Sequence, residues 1–216
     1  MNQTKQAVSW IVSAAMLSMM LFTHNPALSY TVNITAGTRV VYLVVGNGSF
    51  TGTLQGGGTP ANNATVNTVS VSVAASQIGN STAQGMQTNS TQAQSFYDSF
   101  VFCSPAAQQV YIGGFYRRPG AAAGTATLSV TTPIAGLVNA GGDAIPFSEI
   151  SWVSSGIGDT GPEVIPTGAF TGGTQTLATL NRNTWNESCH AFSYANSNLV
   201  AAGTYTGRAT YTLTAP

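Results

Sequence analysis

The stretch that decides the fold is Ala202-Gly203-Thr204-Tyr205-Thr206-Gly207-Arg208-Ala209-Thr210-Tyr211-Thr212-Leu213-Thr214-Ala215-Pro216. From Ala209 onward apolar residues and threonines alternate, so Ala209, Tyr211, Leu213 and Ala215 share one face. Period-two alternation is the mark of a half-buried β-strand. Gly203-x-Tyr205 at its entrance resembles the tyrosine corner that opens strand F of immunoglobulin-like sandwiches. Pro216 follows the strand directly, whereas a complete sandwich of that kind carries a further strand, G, beside F. The reading is all-β: an immunoglobulin-like β-sandwich, incomplete, with its last strand supplied by a partner. An apolar strand left at a sheet edge invites pairing with another chain.

The same period recurs upstream. Val32, Ile34 and Ala36 alternate, as do Val40, Tyr42 and Val44, then Val69, Val71 and Val73. Val110 and Ile112, then Ala126, Leu128 and Val130, and finally Thr174, Thr176, Ala178 and Leu180 continue the pattern. Gly, Asn and Pro turns separate these stretches, and no long segment carries a helical period, which predicts a sandwich or barrel. Residues 30–216 are expected to form one domain, with an arm at 30–37 and a polar surface loop at 77–95. Arg39 and the turn Gly46-Asn47-Gly48 mark Val40–Val44 as an internal strand.

Charge is scarce. Lys, Arg, Asp and Glu make up 6% of the 216 residues and the formal net charge is zero, against roughly a quarter charged in an average domain. Hydrophobic residues still reach 43%, enough for a packed core. Without a basic field nucleic acid is excluded as a partner. So few acids and bases also leave little for acid–base chemistry, and no cofactor is expected.

Residues 1–29 read as a secretory signal. Lys5 precedes an apolar stretch from Ala7 to Phe22, His24, Asn25 and Pro26 break it, and Ala27-Leu28-Ser29 offers a small-x-small cleavage pattern. The apolar stretch is shorter than the ~20 residues a membrane span needs. Export is therefore expected, through the periplasm to the cell surface or beyond. In an oxidising compartment Cys103 and Cys189, the only two cysteines, pair as a structural disulfide. A metal site built from Cys103, Cys189 and His190 lacks a fourth ligand.

The ending Ala-Gly-Thr-Tyr-Thr-Gly…Tyr-Thr-Leu-Thr is similar to the C-terminus of fimbrial subunits assembled by the chaperone–usher route. It is nearest to the spore coat protein U-like branch, and the similarity covers about the last 15 residues. The resemblance implies an incomplete sandwich whose groove accepts a strand, first from a periplasmic chaperone and then from a neighbouring subunit. It places the family's glycine at Gly203 and the groove-lining terminal strand at Tyr205, Ala209, Tyr211, Leu213 and Ala215. The donor segment would begin at Tyr30, with Val32, Ile34 and Ala36 filling pockets. An alternative makes residues 31–45 ordinary first strands of their own sandwich. Implied partners are the chaperone, an outer-membrane usher, neighbouring subunits and a surface receptor. The chain departs from the family in carrying its cysteines in the second half and in its greater length. The function implied is that of a structural subunit of a bacterial surface fibre.

The alternative function is a self-contained secreted adhesion or ligand-binding module. Tyr97, Phe115, Tyr116, Trp152 and Trp185 would be its contact candidates. Other motifs carry less. Gly156-Ile157-Gly158-Asp159-Thr160-Gly161 matches a dinucleotide fingerprint, but Pro162 and Pro166 replace the helix that the phosphate needs. Asp159 and Glu163 fall short of a calcium site. Glu149 and Glu187 are the nearest thing to paired glycosidic carboxylates, and Arg117-Arg118 reads as a hairpin tip. The six Asn-x-Ser/Thr sequons within residues 30–216, at Asn33, Asn47, Asn63, Asn80, Asn89 and Asn186, carry no weight in so polar a chain. No enzyme is expected.

Overall fold

The computed structural model describes Val32, Gly161 and residues 39–51, 59–61, 66–118, 124–159 and 163–216. The expected signal at 1–29 and the donor positions Ile34 and Ala36 lie outside the described residues. Val32 is described and exposed.

Seven principal strands follow in chain order: β1 (Val40–Val45), β2 (Val110–Arg117), β3 (Thr125–Thr132), β4 (Ile150–Ser155), β5 (Gly173–Asn181), β6 (Trp185–Tyr194) and β7 (Thr210–Thr214). The larger sheet runs β1-β2-β6-β4, with the short strand Gly168–Ala169 beyond β4, and the smaller runs β5-β3-β7. Every pairing between these strands is antiparallel. In immunoglobulin lettering β1-β2-β6-β4 is the A-B-E-D sheet, and β3 with β7 is the C–F pair. The chain is an all-β sandwich of that strand order, with β5 added on the outer side of C.

The core follows from alternation. Val110, Ile112 and Tyr116 of β2 and His190, Phe192 and Tyr194 of β6 are buried on the face that meets sheet two, where Ala126, Leu128 and Val130 of β3 point back at them. Threonines on the opposite face of β3 and β7 meet water, which sheets accept because the branched side chain suits extended backbone. This accounts for a surface with almost no charge.

The expected alternation through Thr174, Thr176, Ala178 and Leu180 is corrected. The register with β3 shifts between Thr176 and Ala178, so Leu177, Ala178 and Leu180 are buried while Thr174 and Thr176 are exposed. One bulged residue flips the face presented by everything on one side of it. The polar stretch 77–95 is likewise more than a bare loop. Its Gln84–Gly85 pairs with Ser193 and Tyr194 of β6, and Gln87–Thr88 pairs with Val69–Ser70. Ala36–Pro216 forms one compact unit.

Candidate functional site

The sandwich has two sides where an edge of one sheet meets an edge of the other, and they differ. On one side Leu177, Ala178 and Leu180 of β5 are buried, and the 163–171 segment adds Ile165 and Phe170 to the same core. On the other side β1 faces β7. There the inward residues Leu43 and Val45 of β1 and Ala209, Tyr211, Leu213 and Ala215 of the β7 stretch are only half-buried, and Val41 is 39% exposed. The strands just behind them are sealed, with Ala126 and Val130 fully buried.

Backbone pairing tells the same story. Among the described residues β7 pairs with β3 alone and β1 with β2 alone. Their outer edges approach each other, and the Arg39 guanidinium donates to the Ala215 carbonyl across the gap at 3.4 Å. Among the described residues neither outer edge has a further strand beside it, and an edge of that kind presents main-chain groups to another strand. Burial pushes the Tyr211 hydroxyl pKa up, so the phenolic end lies deeper than the half-buried residue as a whole. Leu43 also borders an apolar gap between the sheets, with Ile112, Leu128 and Leu180. Its cavity volume is about 10 Å³, room for one water at most and far below the roughly 300–1,000 Å³ of pockets that bury small ligands.

The approach to β7 is a fixed corner. The Tyr205 hydroxyl donates to the Ala201 carbonyl at 2.8 Å, the bond that defines a tyrosine corner between strands E and F. Thr206 and Val138 exchange both backbone bonds, at 2.9 and 3.1 Å. Gly203 and Tyr205 thus belong to the turn, and the strand itself begins at Thr210. The expected tyrosine corner is present, but the placing of Gly203 and Tyr205 on the terminal strand is corrected, since they lie seven and five residues before Thr210. The corner's own bonds hold this segment across the end of the sandwich.

Compared with family models, curated proteins and solved structures, the chain matches none. Its functional reading therefore rests on its own geometry.

The larger sheet carries a second apolar layer on its outer face. Tyr42, Val44, Tyr111, Phe115 and Cys189 point outward and are buried beneath Phe50, Phe96, Phe102 and Cys103. Cys103 and Cys189 form the expected disulfide, both without solvent exposure. Tyr111 folds back over Gly113, where a Cβ would stand 2.6 Å from its hydroxyl oxygen. That passage lets Tyr111 donate to Glu187 at 2.5 Å, alongside Trp185 Nε1 at 2.9 Å. Burial, then the Glu187 charge, raises the Tyr111 pKa.

The remaining candidates separate. Glu149 receives hydrogen bonds from Ser197 and Asn198 at one end of β6, whereas Glu187 lies beyond the Cys189–Ser155 pair at the other. Ala195, whose N–H reaches the Glu149 carbonyl, is eight residues from Glu187, roughly 26 Å of extended strand. Glycosidic pairs stand about 5–10 Å apart, so these two carboxylates do not form one. His190 is fully buried and stacked on Trp152 at 5.5 Å. Burial lowers its pKa to about 3. Glu163 is raised by burial and then by the Asp159 charge, and among the described residues no three metal-ligating side chains gather. Of the aromatic candidates, Phe115, Tyr116 and Trp152 are buried, while Tyr97 is exposed and stacks on half-buried Trp185.

Sequence reading missed the amide network. Asn196 is fully buried at φ +55°. Its Nδ2 donates to the Gln77 carbonyl and Asn80 Oδ1, and its Oδ1 accepts from Gly79 N–H. Asn47, Asn67 and Asn89 bind one another and the backbone in the same manner. The sequon asparagines 47, 80 and 89 are thus engaged in holding loops. The tolerance of Asn for positive φ was the one signal available in sequence.

Proposed function

We propose that this protein is a structural subunit of a surface fibre that assembles by strand donation between copies. One observation carries the reading. The site beside β7 and opposite β1, where an immunoglobulin-like sandwich carries strand G, holds no described strand, and the apolar residues facing it are only half-buried. An added strand gains main-chain hydrogen bonds from β7 or β1. Its alternate side chains would cover Leu43, Tyr211 and Leu213, which sets register. The alternating segment Val32-Asn33-Ile34-Thr35-Ala36 supplies the right pattern for a donor, and exposed Val32 is available to a neighbour. A periplasmic chaperone would protect the edge before assembly and an outer-membrane usher would order the exchange. The fibre would then stand at the cell surface, where a receptor is a further partner.

The test removes residues 30–36 from the exported chain. Denaturant-resistant multimers should disappear, while the remaining sandwich binds a synthetic 30–36 peptide. A full-length protein that stays monomeric and exchanges no peptide would refute the reading.

A further inference from the structure

The larger sheet is apolar on both faces, and the second sheet covers only one of them. The outer face, with Tyr42, Tyr111, Phe115 and Trp185, packs against Phe96, Phe102 and Cys103 of the 93–109 segment together with Phe50. Backbone bonds of that covering segment run largely within it. Ser95 N–H donates to the Phe100 carbonyl at 2.8 Å, and Phe102 and Cys103 N–H both donate to Ala93, at 2.8 and 2.9 Å. Toward the rest of the protein it receives Ile157 N–H at the Phe102 carbonyl, 3.0 Å, and offers Phe96 N–H to the Tyr111 hydroxyl, 3.4 Å. Gln109 Nε2 donates to Ser155 Oγ at 3.3 Å, and ring contacts add to these bonds, Phe96 and Phe102 lying 5.4 and 6.1 Å from Tyr111 and Tyr97 6.4 Å from Trp185. A layer held by packing with few ladder bonds is the kind of unit that opens on its own. The single covalent tie between it and β6 is Cys103–Cys189.

We propose that this disulfide is the latch of a separately closing outer layer, and that the dithiol form keeps the two-sheet core while uncovering the Tyr42–Tyr111–Phe115–Trp185 face. Closing the latch oxidises two thiols. One cysteine thiolate attacks the disulfide of an oxidising thiol–disulfide exchange protein, and the second cysteine displaces that protein's dithiol from the mixed intermediate. Two electrons pass to the exchange partner and each cysteine gives up one proton. Opening is the reverse, with a dithiol as reductant. Because both sulfurs are fully buried, a reductant reaches them only after the layer lifts. The reduced chain then displays an aromatic surface that the oxidised chain hides, a chemical mark distinguishing finished from unfinished subunits.

Hydrogen exchange read by mass spectrometry tests this on the full exported chain, comparing wild type, C103S/C189S and F96A. In C103S/C189S, amides of 93–109 should lose protection by about a hundredfold or more while those of β3 and β7 stay within about tenfold of wild type. Its Trp185 emission should shift to the red. In F96A the latch remains, and 93–109 should keep protection within about tenfold of wild type. Loss of β3 and β7 protection in the double serine variant, including outright failure to fold, overturns the proposal because the layer is then not separate. Full protection of 93–109 in that variant overturns it as well, as does F96A opening as widely as the variant without the bond.

Discussion

Tyr205 donates its phenolic hydrogen to the carbonyl of Ala201, 2.8 Å away and four residues back. The bond closes the turn that delivers the chain into β7, and Tyr205 packs its ring against the inter-sheet core. Tyr205→Phe keeps the packing and removes the bond. Urea unfolding should show a loss of about 1 kcal/mol, the net value of one such hydrogen bond.

Asn196 should be far less replaceable. Its side chain satisfies Gly79 N–H, the Gln77 carbonyl and Asn80 Oδ1 while its backbone sits at positive φ. Asn196→Ala leaves the Gly79 N–H without its acceptor, takes one bond each from the Gln77 carbonyl and Asn80 Oδ1, which keep Asn80 N–H and Thr82 N–H, and adds backbone strain, so a loss of about 2–3 kcal/mol is expected. Asn196→Gly relieves only the strain and should recover a minority of it, measured by the same unfolding curves.

His190 gives the protein an acid dependence of known sign. Burial against Trp152 holds the folded-state pKa at about 3, below the ordinary 6.5. The unfolded chain therefore binds the proton first. Stability is complete above pH 6.5 and falls as pH drops toward 3, by about 1.4 kcal/mol per unit through the middle of that window. Between pH 7 and pH 4.5 the unfolding free energy of wild type should fall relative to that of His190→Leu by about 2.5 kcal/mol, because leucine takes up no proton. A constant difference between them would contradict this assignment.

Val41 tests the open edge without touching the sealed core. It faces the groove and is 39% exposed, so Val41→Lys should change monomer stability by about 0.5 kcal/mol or less. A lysine at a pairing edge opposes strand addition. Multimers resistant to denaturant should be lost, and binding of a 30–36 peptide should weaken at least about tenfold, equivalent to 1.4 kcal/mol.

The sandwich and its final strand were legible because alternation is a local property. Ala209, Tyr211, Leu213 and Ala215 do turn inward, and Gly203-x-Tyr205 does announce a corner, since the turn closes within a few residues. The disulfide followed from there being two cysteines. Less was legible wherever one face had to be told from the other. Tyr42 and Val44 alternate as cleanly as Leu43 and Val45, yet they point to opposite sides of the sheet, and both sides are apolar. A bulge at Leu177 reversed the parity of β5, which no period in the sequence marks.

Sequence by itself therefore determined that this chain makes Thr-coated antiparallel strands, pairs its two cysteines and enters β7 through a tyrosine corner. Those features depend on neighbours along the chain and on composition. Only the tertiary structure decided which strands lie side by side, that Glu149 and Glu187 stand at opposite ends of β6, and that one side of the sandwich is sealed while the β1–β7 side is half open. These are matters of register and sheet order, fixed by pairings between residues up to a hundred or more positions apart, and side-chain period carries no record of them.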